Sequence, residues 1–200
     1  MKARRFAAQL GCSLAGALVL AGVSPSRMLA QDHDRHMTAS QHQTTEQRRQ
    51  GNALVQIVRD ATERYRNVSA AQNDGYGLLF GCVSGGDYGA MGLHFVNFPL
   101  VADGKIEAGK PEIILYEPAS NGRLRITGAD YLVLAADWDK THTSAPELNG
   151  QLFHYFEAPN RFGLPAFYTL HVWAWKDNPA GTFSNWNPDV SCDGFNGLSQ

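Results

Sequence analysis

The hydrophobic pattern begins with one amphipathic segment, in which apolar side chains recur at three- and four-residue spacing from Leu54 to Val68. Charged side chains occupy the opposite positions, so the pattern predicts a helix with one buried stripe. Two starts are compatible with the sequence. The order Thr-Thr-Glu-Gln at 44–47 is typical of a capping box, whereas Gly51 favours a start near Asn52. Polar turn residues at 72–75 predict the end of the helix.

Runs of apolar and alternating residues after position 76 predict β-strands. Sequences with turn chemistry separate them, and no interval is long enough for another helix, which argues against a parallel doubly wound sheet. The pattern therefore predicts the α+β class, with one long N-terminal helix packed on a curled antiparallel sheet or partial barrel of about six strands. The predicted strands are 78–84, 90–98, 112–116, 124–135, 151–156 and 166–176.

The last predicted strand has the most unusual composition. Alternation places His171 on the same face as Phe167, Thr169, Trp173 and Trp175. A titratable imidazole in line with two indoles indicates one of two environments. It is either a wall that faces a ligand or a core whose polar atoms all have internal partners.

The N-terminus has the features of an export signal. Basic residues precede an apolar stretch at 6–23, and Ala30 is suited to precede a cleavage site. An uncleaved membrane anchor is the alternative, but the glutamine and glycines in the stretch make it poorly suited to span a bilayer. The sequence thus predicts a periplasmic or secreted protein without membrane contact after cleavage. Its regions are a secretory signal peptide at 1–30, a polar histidine-containing tail at 31–50 and a single α+β domain at 51–200.

Export determines how the cysteines are interpreted. Removal of Cys12 with the signal leaves Cys82 and Cys192, and thiols in an oxidising compartment tend to pair. Closing a loop of about 100 residues contributes up to about 4.7 kcal/mol in the chain-entropy description. The alternative is a metal site, but a closed tetrahedral site needs further ligands. The prediction is a structural disulfide.

Composition and motifs exclude several classes of function. The formal net charge of −2 and the absence of a basic cluster argue against nucleic acid as a partner. The sequence contains no Gly-rich phosphate loop, nucleophile elbow or His-Glu-x-x-His motif, which argues against the familiar kinases, dehydrogenases and hydrolases. A small molecule or a metal ion is the expected partner.

Two histidines in the predicted strands are candidates for an internal site. His94 has small neighbours on its face of the strand, and His171 has an indole and a threonine beside it. If the two strands align these faces, both imidazoles point into one cavity and suit a metal or acid–base chemistry. Tyr131 and Glu117 could add a phenol and a carboxylate. The alternative is that each imidazole is hydrogen-bonded within the core.

The tail contains a second candidate site, which includes His33 and His36. Cleavage after Ala30 would place His33 third in the mature chain, behind a free amine and two amides. That nitrogen set suits Cu(II) or Ni(II). The alternative is a soluble tether that happens to be rich in histidine.

The C-terminal half carries a distinctive set of motifs. They are Tyr-Glu-Pro at 116–118, Gly-Arg-Leu at 122–124, Tyr131, His-Val-Trp-Ala-Trp-Lys at 171–176, Asn-Pro-x-Gly-x-Phe at 178–183 and Trp-Asn-Pro-x-Val-x-Cys at 186–192. Over roughly residues 75–192 the chain resembles a family of small exported bacterial proteins. The resemblance implies a single exported bacterial domain and brings with it no catalytic residue.

Taken together, these features favour an exported, non-catalytic binding protein. Its pocket would hold a small, partly apolar ligand or a metal-bearing one, lined by His94, His171, Trp173, Trp175 and Tyr131. One alternative is a cofactor-free enzyme with His94 or His171 as general base, assisted by Tyr131 or Glu117. The other is a periplasmic copper- or nickel-handling protein that acts through its tail.

Overall fold

The first long helix begins at a capping box. The computed structural model describes residues 43–119 and 121–197, and its first element is helix α1, Thr45–Thr62. The Thr44 side chain accepts the Gln47 amide, and the Gln47 side chain accepts the Thr44 amide, so two otherwise unpaired N–H groups are satisfied. The start near residue 44 is confirmed, and residues 45–50, which the sequence assigned to the polar tail, are helical. The predicted signal peptide lies outside the described residues.

The spacing predicted one helix that continues to residue 73, but the structure divides this segment into three parts. Helix α1 ends at Thr62, a 3₁₀ turn follows at Glu63–Arg66, and a short helix α2 covers Val68–Asn73. Asn67 starts the second helix, because its side chain accepts the Ser69 amide and caps the new N-terminus.

Six strands form one curled antiparallel sheet, which confirms the predicted mixture of helix and antiparallel sheet. The strands are β1 Gly77–Ser84, β2 Ala90–Val96, β3 Ile113–Pro118, β4 Leu124–Leu134, β5 Glu147–Leu148, β6 Gln151–Leu152, β7 His154–Phe156 and β8 Phe167–Val172. Their order in the sheet is β1-β2-β3-β4-β8-β7, and β5 and β6 form a separate hairpin. Short helices α3, Phe98–Ala102, and α4, Ala135–Trp138, follow β2 and β4.

Two strand predictions need correction. Strand β8 ends at Val172 rather than near 176, because the Ala174 amide turns back to the Val172 carbonyl and the Trp173 amide pairs with Thr182. The predicted strand 151–156 is divided into β6 and β7, since the Phe153 amide between them pairs with Pro146.

Alternation along β4 gives the sheet two differently composed faces. One face carries Ala129 and Tyr131, which share a buried cluster with Leu54 and Val58 of α1. Leu132, from the other face, belongs to a second cluster with Phe167 and other apolar residues. Burying each leucine or valine side chain in these clusters contributes about 1.5–3 kcal/mol.

The predicted disulfide between Cys82 and Cys192 is confirmed. Its Cα atoms lie 5.7 Å apart, and it joins β1 to the irregular C-terminal segment across 110 residues of sequence. A backbone bridge between Ala90 and Asn187 holds the same segment against β2. Among the residues the structure describes, there is no helix both long and apolar enough to cross a membrane.

Candidate functional site

Strand β2 positions His94 with one ring nitrogen already engaged. The side chain is buried, and Nδ1 lies 3.2 Å from the carbonyl oxygen of Gly92 in hydrogen-bonding geometry. Gly92 has a φ of +87°, and a Cβ there would collide with the Tyr116 carbonyl oxygen. A glycine is therefore needed to present this carbonyl. With Nδ1 as the donor, Nε2 of His94 is left as an acceptor.

Strands β4 and β8 supply Asp130 and His171, which face each other directly in the strand register. The Asp130 carboxylate accepts a 2.6 Å hydrogen bond from the Thr169 hydroxyl. Its Oδ1 lies 3.4 Å from Nδ1 of His171, and all three side chains are buried. The register thus places a carboxylate and an imidazole side by side inside the protein.

The curl of the sheet brings His94 to this pair. Strands β2 and β8 are separated by β3 and β4, yet the rings of His94 and His171 are 5.7 Å apart between centroids, at an interplanar angle of 73°. One potential ligand atom from each of His94, Asp130 and His171 lies within 4.8 Å of the others. Imidazole and carboxylate are ordinary metal ligands, so these three residues could hold one ion.

Burial controls the protonation of the three groups. It lowers the pKa of His94 to about 4, with a further contribution from the charge of His171. It also lowers the pKa of His171 to about 3. Burial raises the pKa of Asp130 to about 6, against the opposing effects of His94 and the Thr169 hydrogen bond. At neutral pH both imidazoles are neutral and the carboxylate is ionised, so the site can accept protons or bind a cation.

His171 is unusual because neither ring nitrogen has a hydrogen-bond partner among the described residues. Nδ1 is near Asp130, but the pair lacks hydrogen-bonding geometry. Asn185 lies beside the ring, and the interaction of its side-chain amide with the imidazole raises the pKa of His171 against the larger lowering by burial. The Oδ1 atom of Asn185 is also buried, and no described residue meets it in full hydrogen-bonding geometry. Buried polar atoms normally have partners, so the His171 nitrogens mark a place where a further group fits.

The three residues form the polar floor of an otherwise apolar pocket. Its empty volume, including the mouth, is about 350 Å³. Phe80 and Phe162 lie 5.6 Å apart between ring centroids, and Phe80 occupies a β-bulge with a φ of +67°. A bulge re-aims the side chain that it carries. The lining residues are Phe80, Met91, His94, Ile113, Asp130, Leu132, Phe156, Phe162, Leu164, Phe167, Thr169 and His171.

The other side chains that the sequence placed in the site do not line this pocket, and each has a partner elsewhere. Trp173 Nε1 donates to the Ser184 carbonyl at 2.6 Å, and Trp175 Nε1 donates to the Thr62 hydroxyl at 2.9 Å. Both follow the end of β8, where the alternation of faces stops.

Tyr131 and Glu117 are also placed away from the pocket floor. Tyr131 projects from the other face of β4, and its hydroxyl donates to the Ala108 carbonyl at 2.6 Å. Glu117 accepts from Arg125 and lies 3.0 Å from the Lys176 amine. The charge of its carboxylate is therefore paired with two cationic side chains. His33 and His36 lie outside the described residues.

Sequence reasoning missed Asp130 and the phenylalanines at 80, 156 and 162. Asp130 did carry a signal, since it is the one charged residue in the apolar run 126–134. Charged residues are rarely buried unless paired, so a carboxylate in such a run indicates a specific environment. The phenylalanines carried no such signal, because they come from a bulge, a short strand and a loop that only tertiary structure brings together.

Comparisons of the chain with protein-family models, with curated proteins and with solved structures found no match. The resemblance to small exported bacterial proteins therefore stays a prediction.

Proposed function

We propose that this chain is an exported binding protein for a small, partly apolar ligand, which it holds in the pocket above His94, Asp130 and His171. The observation that carries the proposal is the pocket itself, in which apolar walls surround a few convergent polar groups. This is the usual composition of a small-molecule site. The empty volume of about 350 Å³ includes space open to solvent, so only a small ligand is a suitable occupant.

The floor selects the polar part of the ligand. Nε2 of His94, one ring nitrogen of neutral His171 and the ionised Asp130 carboxylate accept hydrogen bonds, so a ligand that donates one is favoured. A free carboxylate on the ligand would instead be repelled by Asp130 and would lose its hydration. In the absence of metal, the proposed ligand class is therefore a small aromatic or aliphatic alcohol or phenol.

Location and architecture are part of the same proposal. The disulfide between Cys82 and Cys192 supports a periplasmic or secreted location, because such bridges persist in oxidising compartments. Helix α1 would act as the long N-terminal helix that packs on the sheet. The shared cluster of Leu54 and Val58 with Tyr131 supports packing on the face opposite the pocket.

The test is binding of phenol to the metal-free protein, followed by amide chemical shifts in NMR spectra. We expect shifts confined to residues around the pocket, weaker binding of benzoate, and saturation by phenol. Leu164→Trp adds an indole to the pocket wall and should weaken phenol binding at least tenfold, since it removes most of the ring's space.

Leu148→Trp is the matched control. Leu148 is half-buried like Leu164, but it packs against the helix-side cluster and does not line the pocket. Its substitution should leave phenol affinity unchanged. Phenol shifts that fall outside the pocket, or an equal loss of affinity in both variants, would contradict the proposed function.

A further inference from the structure

We infer that His94, Asp130 and His171 bind one divalent transition-metal ion at the floor of the pocket, with at least one coordination position open toward the apolar walls. This inference rests on the proposed pocket and specifies the chemistry of its floor. It concerns a different set of residues from the histidines of the N-terminal tail.

The donor set determines the class of metal. Two imidazole nitrogens and one carboxylate suit zinc, iron or a neighbouring first-row ion, whereas magnesium and calcium prefer oxygen ligands alone. Three protein ligands are also fewer than a closed structural zinc site uses. The remaining position would face the space lined by Leu132, Phe162 and Leu164.

The distances are close to those that a metal requires. In a tetrahedral zinc site with bonds of about 2.0–2.1 Å, neighbouring ligand atoms are about 3.3–3.4 Å apart. Asp130 Oδ1 and His171 Nδ1 are already 3.4 Å apart. The widest separation among the three ligand atoms is within 4.8 Å. It has to shorten by at most about 1.4 Å to match a bound ion.

Two of the three ligand side chains, those of His94 and Asp130, are supported by hydrogen bonds in the manner of a metal site. Metal-bound histidines usually donate their second N–H to a carbonyl or carboxylate, and metal-bound carboxylates are themselves hydrogen-bonded. Nδ1 of His94 pairs with the Gly92 carbonyl, which directs Nε2 to the ion. The Thr169 hydroxyl donates to Asp130 Oδ1 at 2.6 Å. Both supports exist in the fold without any ion.

The unpaired nitrogens of His171 give independent support. The ring is 2% exposed, and neither nitrogen has a hydrogen-bond partner within the described residues. A metal on Nδ1 would leave Nε2–H as a donor, and the buried, unpaired Oδ1 of neighbouring Asn185 is an acceptor. One ion therefore accounts for three of the unpaired buried atoms, the two ring nitrogens of His171 and the Oδ1 of Asn185.

A bound cation would reverse the head-group preference of the pocket. The metal-free floor is acceptor-rich and carries the charge of Asp130, whereas the metal-bound floor presents a positive ion with an open position. The ligand class then becomes a small aromatic carboxylate or catecholate, whose oxygen binds the ion while its ring contacts the phenylalanines.

The experiment is a titration of the exported protein with Zn²⁺ by calorimetry, and with Co²⁺ by its visible absorption. Metal binding by the tail is prevented by substituting its histidines in the otherwise intact chain, with His33→Ala, His36→Ala and His42→Ala. We expect one ion per chain in this background. Asp130→Asn and His171→Ala should each lower Zn²⁺ affinity at least 100-fold, and Thr169→Val should lower it about 10- to 100-fold.

His142→Ala is the matched control, because His142 is an exposed histidine that stacks on Trp138 away from the pocket. It should leave Zn²⁺ affinity unchanged. Amide NMR spectra establish that each variant is folded, and Thr169→Val provides a mild change should the ligand variants unfold. Absence of Zn²⁺ and Co²⁺ binding in the tail-substituted protein, or unchanged affinity in both Asp130→Asn and Thr169→Val, would overturn the inference.

The two proposals fail in different ways. Phenol binding to the metal-free protein without any Co²⁺ binding overturns the metal site alone. Co²⁺ binding without phenol binding overturns the proposed metal-free ligand class alone. If both hold, adding Zn²⁺ should strengthen benzoate binding by at least tenfold, and His171→Ala should abolish that gain.

Discussion

At the scale of single residues, Asp130 and Thr169 form a unit in which a hydroxyl stabilises a buried charge. Both side chains are about 2% exposed, and their hydrogen bond is 2.6 Å long. Hydrogen bonds to charged groups are worth more than neutral ones, about 1.5–3 kcal/mol. The identity of residue 169 therefore affects both stability and the site.

Thr169→Val tests this directly, because valine keeps the shape and removes the donor. We expect the free energy of unfolding at pH 7 to fall by about 1.5–3 kcal/mol in urea titrations. Thr127→Val is the control, since the buried Thr127 hydroxyl has no partner among the described residues. That change should be neutral or stabilising. Equal losses in the two variants would show that the Asp130 hydrogen bond contributes nothing special.

Glu112 is a second buried carboxyl, outside the pocket lining, and it makes stability depend on pH. Its side chain accepts the Leu132 amide, and burial raises its pKa from 4.5 to about 8. The folded protein thus holds a proton here that the unfolded chain releases above pH 4.5. The stabilisation from this group is complete below pH 4.5 and is lost as pH rises toward 8.

Glu112→Gln should remove that loss, because glutamine resembles the protonated acid at every pH. The free energy of unfolding of Glu112→Gln relative to wild type should increase between pH 4.5 and about 8, by about 1.4 kcal/mol for each pH unit. Urea titrations of both proteins at several pH values measure the difference. A difference that stays constant with pH would contradict the raised pKa.

At the scale of elements, strand β2 depends on one glycine to shape the site. Gly92 takes a φ of +87°, approaches the Tyr116 carbonyl and supports His94 through its own carbonyl. Gly92→Ala should lower the free energy of unfolding by more than about 2 kcal/mol, since left-handed backbone strain alone costs about 1–2 kcal/mol. Thermal and urea unfolding measure the loss.

Gly77→Ala is the matched control in the neighbouring strand. Gly77 has no positive φ, and a Cβ there meets nothing within 4 Å. Its substitution should change stability by less than about 1 kcal/mol. Equal effects of the two alanine substitutions would contradict the conformation assigned to Gly92.

The sequence predicted correctly those features that depend on residues close together in the chain. The capping box at Thr44 and the turn sequences between strands act over three or four residues, so their outcomes could be read directly. The end of β8 could not, because the Trp173 and Trp175 amides pair with Thr182 and Thr127, which are distant in sequence. The alternation of strand faces predicted the orientation of Trp173 and Trp175, but β8 ends at Val172, before either residue.

At the scale of the whole molecule, the sheet and the disulfide act together. The bridge between Cys82 and Cys192 spans 110 residues and encloses most of the sheet. A loop of about 100 residues corresponds to about 4.7 kcal/mol in the chain-entropy description. The sequence predicted this disulfide because two cysteines remain once Cys12 is assigned to the signal peptide.

The candidate site was only half predictable. His94 and His171 stood out because an imidazole is unusual in an apolar strand. That they meet depends on the curl of the sheet, and the role of Asp130 depends on its register opposite His171. Copper or nickel binding by His33 and His36 stays a prediction. Neither register nor curl is encoded in a single strand, so the third member of the site emerged only from the fold.

The central claim is that His94, Asp130 and His171 form one metal-binding floor of a ligand pocket. Anomalous diffraction from crystals grown with Co²⁺, recorded on both sides of the cobalt absorption edge, tests it most directly. The account predicts one peak in the pocket, about 2.0–2.2 Å from a ligand atom of each of the three residues. Cobalt bound only elsewhere on the chain, with no peak among the three side chains, would contradict it.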